Sequence, residues 1–167
     1  MIPKLTYTTA DLNDLPELQK LGIISYSEYQ EDLSENNWRK LNYILHDNQS
    51  WKELITKSTV IVCKKDNVIV GAVYFFSNGN PTDLYQNRWS YFRSLSVHPQ
   101  YRKQGIGQKL TLLCIEKAKK TGEQWIALHT SEFMNTARNM YEKMGFKKIK
   151  EVERLGKRYW VYLKKLN

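Results

Sequence analysis

Two cysteines in 167 residues leave little room for disulfide or metal chemistry. Cys63 sits in the strand-like run "TVIVCKK" and Cys114 in the helix-like "LTLLCIEKA"; neither has a CxxC neighbour or a nearby histidine pair. That spacing gives a zinc site no support, and buried, reduced packing residues are expected instead. No apolar run nears the roughly 20 residues that cross a bilayer. The opening stretch "MIPKLTYTTADLNDLPEL" carries no apolar core like that of a signal peptide, so a cytoplasmic location without membrane association is expected. Internal repeats, low-complexity tracts and long linkers are also missing. With 41% hydrophobic and 26% charged residues, the composition fits one soluble domain and argues against disorder.

Acidic charge is scarce in the second half. Residues 1–83 hold 8 Lys+Arg against 11 Asp+Glu, whereas residues 84–167 hold 18 against 6. The two halves, at −3 and +12, point to an anionic partner for the C-terminal half. Two ordinary solvated surfaces are the plainer reading of the counts alone.

Residues 4–10 alternate as a first strand. After Asp11, Leu15, Leu18 and Leu21 fall at helical spacing, and a second helix from about Ser34 lines up Trp38, Leu41 and Leu45. The short piece "QSWKELITK" reads as a continuation of it. Asp66-Asn67 between two β-branched runs marks a hairpin. In "RWSYFRSLSVHP", alternation puts Tyr91, Arg93, Leu95 and Val97 on one face and Phe92, Ser94, Ser96 and His98 on the other, until Pro99 stops the strand. A helix from Ile106 aligns Ile106, Leu110, Leu113, Cys114 and Ala118. A strand over "QWIALHTS" follows. A helix with Ala137, Met140, Tyr141 and Met144 on one face ends at Gly145. Two strands around Leu155-Gly156 close the chain. The order β-α-α-β-β-β-α-β-α-β-β predicts a mixed α/β sheet with helices on its faces.

The stretch "SVHPQYRKQGIG" (96–107) carries the chemistry. A helix begins with amide hydrogens that lack partners and with partial positive charge. Gly105 and Gly107 clear the side chains from that end, and Arg102 and Lys103 add charge beside it. The combination fits a pyrophosphate-binding turn. A P-loop would need Gly-Lys-Ser/Thr, but Gly107 is followed by Gln108-Lys109; a dinucleotide fingerprint would need glycine at Leu110.

Arg102-Lys103-Gln104-Gly105-Ile106-Gly107 matches the Q/R-x-x-G-x-G/A motif, and here the sequence resembles the GCN5-related N-acetyltransferase (GNAT) superfamily. "LSVHPQYRKQGIGQKL" and "NTARNMYEKMGFKKI" extend the resemblance, as does the element order, so that it covers nearly the whole chain. It implies a single N-acetyltransferase domain over 1–167. The fold would be a mixed, mostly antiparallel sheet with helices on both faces and the fourth and fifth strands splayed. It further implies acetyl-CoA as co-substrate. The loop Arg102, Lys103, Gln104, Gly105, Ile106, Gly107, with Gln108, would hold the pyrophosphate. The backbone of Leu95, Ser96 and Val97 would pair with the pantetheine arm as an added strand. Asn135 would contact the cofactor, and Tyr141 would donate to the departing thiolate. The implied reaction is direct attack of a neutral amine through a tetrahedral intermediate, with an oxyanion donor at the Val97 amide.

The general base is unassigned. "SYFRSLSV" has no acid, His129 reads either as a base or as an interior histidine, and a water chain or an acid from the N-terminal helices stays open. Glu28, Glu31, Asp32 and Glu35 share i, i+3, i+4, i+7 spacing, an expected helical stripe beside Tyr26 and Tyr29 that would draw in a cationic amine or face solvent. A non-catalytic acyl-CoA-binding regulatory module is the first alternative. A nucleic-acid-binding protein is disfavoured, because its basic residues are scattered and no binding motif is present. The acceptor, a small molecule, a protein N-terminus or a lysine, and homodimer formation stay open.

Overall fold

The computed structural model describes residues 4–167; the first three residues of the expected domain lie outside it. Seven strands form one sheet in the order β1-β2-β3-β4-β5-β7-β6. These are β1 Leu5–Ala10, β2 Thr59–Lys65, β3 Val68–Phe76, β4 Ser90–Val97, β5 Trp125–Ser131, β6 Lys147–Arg154 and β7 Lys157–Lys165. All pairings are antiparallel except β4 with β5. Two-residue turns make the hairpins. Asp66 and Asn67 both have positive φ, as do Leu155 and Gly156, the geometry that matches a twisted antiparallel pair.

Helices cover both faces. On one, α4 (Ile106–Lys120) and α5 (Asn135–Lys143) pack Ile106, Leu110, Cys114 and Tyr141 against Phe92, Leu128 and Tyr162. Cys63 lies in the same core, and both cysteines are free and buried. On the other face, α1 (Leu15–Ser27) and α3 (Asn48–Lys57) pack Leu18, Leu21, Trp51 and Ile55 against Tyr74 and Tyr91. Among the described residues, no helix is long and apolar enough to cross a membrane.

Three expectations need correction. First, "QSWKELITK" is not a continuation of α2 (Glu35–His46) but a separate helix. Asp47 has left helical geometry and caps α3, accepting from the Ser50 amide. The first three helices are therefore α1, α2 and α3. Second, the acidic stripe does not exist as a helical face. The first helix ends at Ser27, Gln30–Asp32 form an isolated 3-10 turn, and the second helix starts at Glu35.

Third, β4 does not alternate along its length. The register against β3 shifts between Ala72 and Tyr74, opposite Ser94, whose φ is +58°. One extra residue flips every side chain after it. Tyr91 therefore packs in the α1–α3 core, while Leu95 and Val97 pack in the α4–α5 core.

Candidate functional site

Beyond two paired positions, Ser90 with Ile126 and Tyr91 with Ala127, β4 and β5 part. The gap opens into a cavity of about 740 Å³ lined by both strands, α1, α3, α5 and the β6–β7 turn, a size typical of small-ligand sites. The far edge of β4 is left free to bond. The His98 amide donates to Val70 O at 2.8 Å, so residue 98 faces β3 and residue 97 faces away from it. Val97 O accordingly accepts from Ser25 Oγ at 3.4 Å and Arg102 Nε at 3.2 Å on the parted side. In an extended strand the Val97 amide points the same way, as do the backbone groups of Leu95. Ser96, between them, is buried.

At the end of this edge stands the N-terminus of α4. Its N-cap is Gly105, at φ +80°, with no side chain to close the helix. The first amide with an intrahelical partner is Lys109, which donates to Gly105 O. The amides of Ile106, Gly107 and Gln108 are left open. Lys103, at φ +62°, turns the preceding loop, and Lys103, Gln104 and Gln108 are exposed. Ile106 is buried in the core, so only its amide faces the loop. At Gly107, a Cβ would meet Leu95 and Val97 side chains at 3.9 Å, ordinary contact distance. The protein's own packing gives no reason for glycine there.

Arg102 lines the cavity and is engaged. Its Nη1 donates to both carboxylate oxygens of Glu28, at 2.7 and 2.5 Å, a half-exposed ion pair. Asn135 is exposed on the first turn of α5, where its Oδ1 accepts from Arg138 Nη2, and it does not line the cavity. Tyr141 lines the cavity from α5, its ring edge-on to Phe92 and Phe146 at 5.9 and 6.0 Å between centroids. No partner for its hydroxyl is present among the described residues. Burial first, then the neighbouring Tyr26, raises its pKa far above the ordinary tyrosine value. The phenol stays protonated at neutral pH.

The α1–α2 connection and the β6–β7 turn close the other side. The Tyr29 ring packs tilted at 55° against Phe133 after β5, 4.9 Å between centroids. At the hairpin tip, a Cβ on Gly156 would lie 2.7 Å from Asn37 Nδ2, so glycine lets the turn seat against α2. His129 is inside, its Nδ1 2.5 Å from the Tyr85 hydroxyl. Burial above all, and then Arg154 and Arg93, lower its pKa to about 3. It is a neutral imidazole and a weak base.

Sequence reasoning did not single out Arg93, Arg154 or Tyr85. Arg93 lines the cavity because it precedes the bulge, and Arg154 because the Leu155-Gly156 turn folds it inward. An arginine as the single charged residue of "SYFRSLSV" was the available signal for the first.

The sequence profile of the acetyltransferase (GNAT) family matches residues 22–146. N-alpha-acetyltransferase 30 of Saccharomyces cerevisiae is 33% identical over 129 residues, which are 77% of this chain but only 64% of the yeast protein. The chain thus spans less than two thirds of that relative. N-alpha-acetyltransferase 30 of Schizosaccharomyces pombe is 26% identical over 155 residues, covering 92% of this chain and 89% of that protein. The crystallised PaiA N-acetyltransferase of Thermoplasma acidophilum, in complex with coenzyme A, has a TM-score of 0.79 and 16% identity. The match covers 97% of this chain and 99% of that one, and at such identity it establishes the shared fold.

Proposed function

The chain belongs to the acetyltransferase (GNAT) family, whose acetyl donor is acetyl-CoA, and from that premise we propose that residues 1–167 act as a single N-acetyltransferase domain. It would move the acetyl group of acetyl-CoA to a primary amine. The observation that carries this reading is the continuity of three features. The open amides of α4 stand at the end of the unpaired edge of β4, and that edge and Tyr141 line the parting of β4 from β5.

The residues fit such a donor. The amides of Ile106, Gly107 and Gln108, with Lys103, Gln104 and the left-handed Gly105, make an anion cradle for the diphosphate. The backbone groups of Leu95 and Val97 supply strand-like bonds to an arm that carries amides. Arg102 borders both and can exchange Glu28 for a phosphate. The thioester supplies an activated acyl carbon and a thiolate leaving group.

An amine nitrogen bonds to that carbon, the carbon–sulfur bond breaks, and the nitrogen loses a proton. The Val97 amide, aimed into the gap, is placed to stabilise the oxyanion. Tyr141 donates a hydrogen bond to the leaving sulfur. A thiol of pKa about 8.5 is far more acidic than this raised phenol, so full proton transfer from Tyr141 would run uphill. Its contribution is a hydrogen bond that strengthens as charge develops. Neither β4 nor β5 carries a carboxylate, Glu53 of α3 is the acid lining the cavity among the described residues, and water is the acceptor of the amine's proton in this scheme. The α-amine of a polypeptide is the acceptor class that the names of the relatives favour.

The test is thiol release from acetyl-CoA over a panel of amines and peptides, for the wild type and for Tyr141→Phe. The substitution should cut kcat by roughly 10²-fold while calorimetry shows acetyl-CoA binding intact. Equal kcat in the two proteins would remove Tyr141 from the reaction. No thiol release with any acceptor, despite binding, would return the chain to an acyl-CoA-binding module.

A further inference from the structure

The cavity's charge is the opposite of what the acidic segment 28–35 promised. Among the charged residues lining it, Glu53 alone is acidic; Lys57, Arg93, Arg102 and Arg154 are basic. Two of these cations are offset nearby. Arg102 is paired with Glu28, and Lys57 lies one helical turn from Glu53 on α3.

The other two are not. The Arg93 side chain makes no hydrogen bond or ion pair among the described residues. The acid nearest Arg154 is Asp83, whose carboxylate lies 3.9 Å away on a side chain 83% exposed to solvent, a contact worth little. Both arginines line the cavity together with His129, and their charges reach His129 and its hydrogen-bond partner Tyr85. Aromatic rings of Tyr26, Tyr91 and Tyr159 wall the same space. A polycation entering here would meet like charge from two guanidinium groups, Arg93 exposed and the Arg154 side chain 38% exposed.

We infer that the acceptor amine carries a carboxylate close to its reactive nitrogen, and that Arg93 and Arg154 bind this carboxylate. The inference rests on the acetyl-transfer reading and names the substrate class of that site. A guanidinium fork matches a carboxylate in two parallel hydrogen bonds, fixing orientation as well as adding affinity. Held between two such groups at the β6–β7 side, the acceptor's amine is directed toward the parting of the strands. The carboxylate has two sources: the α-carboxylate of a free amino acid, or an acidic side chain in the first residues of a peptide.

The experiment compares acceptors in isosteric pairs. Peptides with Asp or Glu in the second or third position are set against those with Asn or Gln. Free amino acids are set against their amides, and a linear polyamine serves as the cationic extreme. Thiol release gives kcat/KM, and calorimetry in the presence of CoA gives acceptor affinity independently of turnover.

The carboxylate member should win by roughly 10- to 100-fold, the value of a charge-assisted hydrogen bond pair. Preference within the peptide pairs assigns a side-chain carboxylate; preference within the amino-acid pairs assigns the α-carboxylate. In Arg93→Gln/Arg154→Gln the ratio should fall toward one, and in Arg154→Glu it should invert. Unfolding curves identify any variant that fails to fold, and the wild-type ratio then decides alone. Thiol release with a ratio at or below one, or with the polyamine preferred, overturns the inference while leaving acetyl transfer standing. A carboxylate preference in binding with no thiol release supports the inference and defeats the transfer reading.

Discussion

Gly107→Ala separates a glycine kept for the fold from one kept for a ligand. Within the protein, a methyl at this position meets only Leu95 and Val97 side chains, at 3.9 Å. It occupies the second position of α4, where alanine is the better helix former by about 0.5–1 kcal/mol. For a domain of this size that raises Tm by roughly 1–4 °C. Binding should move the other way. The methyl stands among the open amides, holds the diphosphate off, and removes one charge-assisted hydrogen bond of about 1.5–3 kcal/mol. Acetyl-CoA affinity should therefore drop roughly 10- to 150-fold.

Gly105→Ala supplies the contrast. No atom lies within 4 Å of its added Cβ, but its φ of +80° is left-handed, which costs a side-chain-bearing residue about 1–2 kcal/mol. Gly105→Ala should lose stability where Gly107→Ala gains it. Thermal unfolding measures the first quantity and titration calorimetry the second. Acetyl-pantetheine, which lacks the diphosphate, should bind both Gly107→Ala and wild type alike. Undiminished acetyl-CoA affinity in a Gly107→Ala protein of equal or higher Tm would refute the cradle. Equal weakening toward acetyl-pantetheine would place the fault in the β4 edge instead.

Two further outcomes follow from the cores. His129, with its pKa lowered to about 3 from 6.5, takes up a proton on unfolding at any pH between those values. Its share of stability is present above pH 6.5 and lost progressively as pH falls toward 3; His129→Asn should flatten the urea midpoint over that window, and an unchanged slope would show an imidazole already charged in the folded state. In Gly22→Ala, the new Cβ would fall 2.5 Å from Trp51 Cη2, on a ring fixed by its Nε1 bond to Leu45 O at 2.8 Å. Overpacking should cost about 1–3 kcal/mol in spite of the better helix propensity, and a raised Tm would show that α1 and α3 slide apart freely.

What was legible in the sequence is what short-range chemistry decides. Asp66-Asn67 and Leu155-Gly156 announced their turns because few residues accept positive φ, and Pro99 ended β4 because it has no amide to donate. The stripes of α4 and α5 were readable since each helix buries one face on one core. The acidic segment was misread because its periodicity is local, while its structure is set from afar. Glu28 is held by Arg102, 74 residues on, and Tyr29 by Phe133. Those contacts outweigh the modest preference of the segment for continuing a helix. Asp47 was missed as a stop although its capping chemistry stood in the sequence: an acid followed three residues on by Ser50, whose amide it caps.

The bulge at Ser94 shows why the acceptor side could not be read at all. Strict alternation assigns Arg93, Leu95 and Val97 to one face, which would bury a guanidinium beside the α4 core or expose two aliphatic side chains. A single residue at φ +58° resolves the conflict. It leaves Arg93 on the face of Tyr91 and turns Leu95 and Val97 toward α4. The same extra residue bends β4 away from β5 after only two paired positions, as bulges do. Strand parting, the free edge beyond it and the cationic lining thus have one geometric origin. Serine at φ +58° carries no turn signature, so the feature that divides donor side from acceptor side leaves no mark in composition or period. It is detectable only where two faces of a strand make incompatible demands on the same run of side chains.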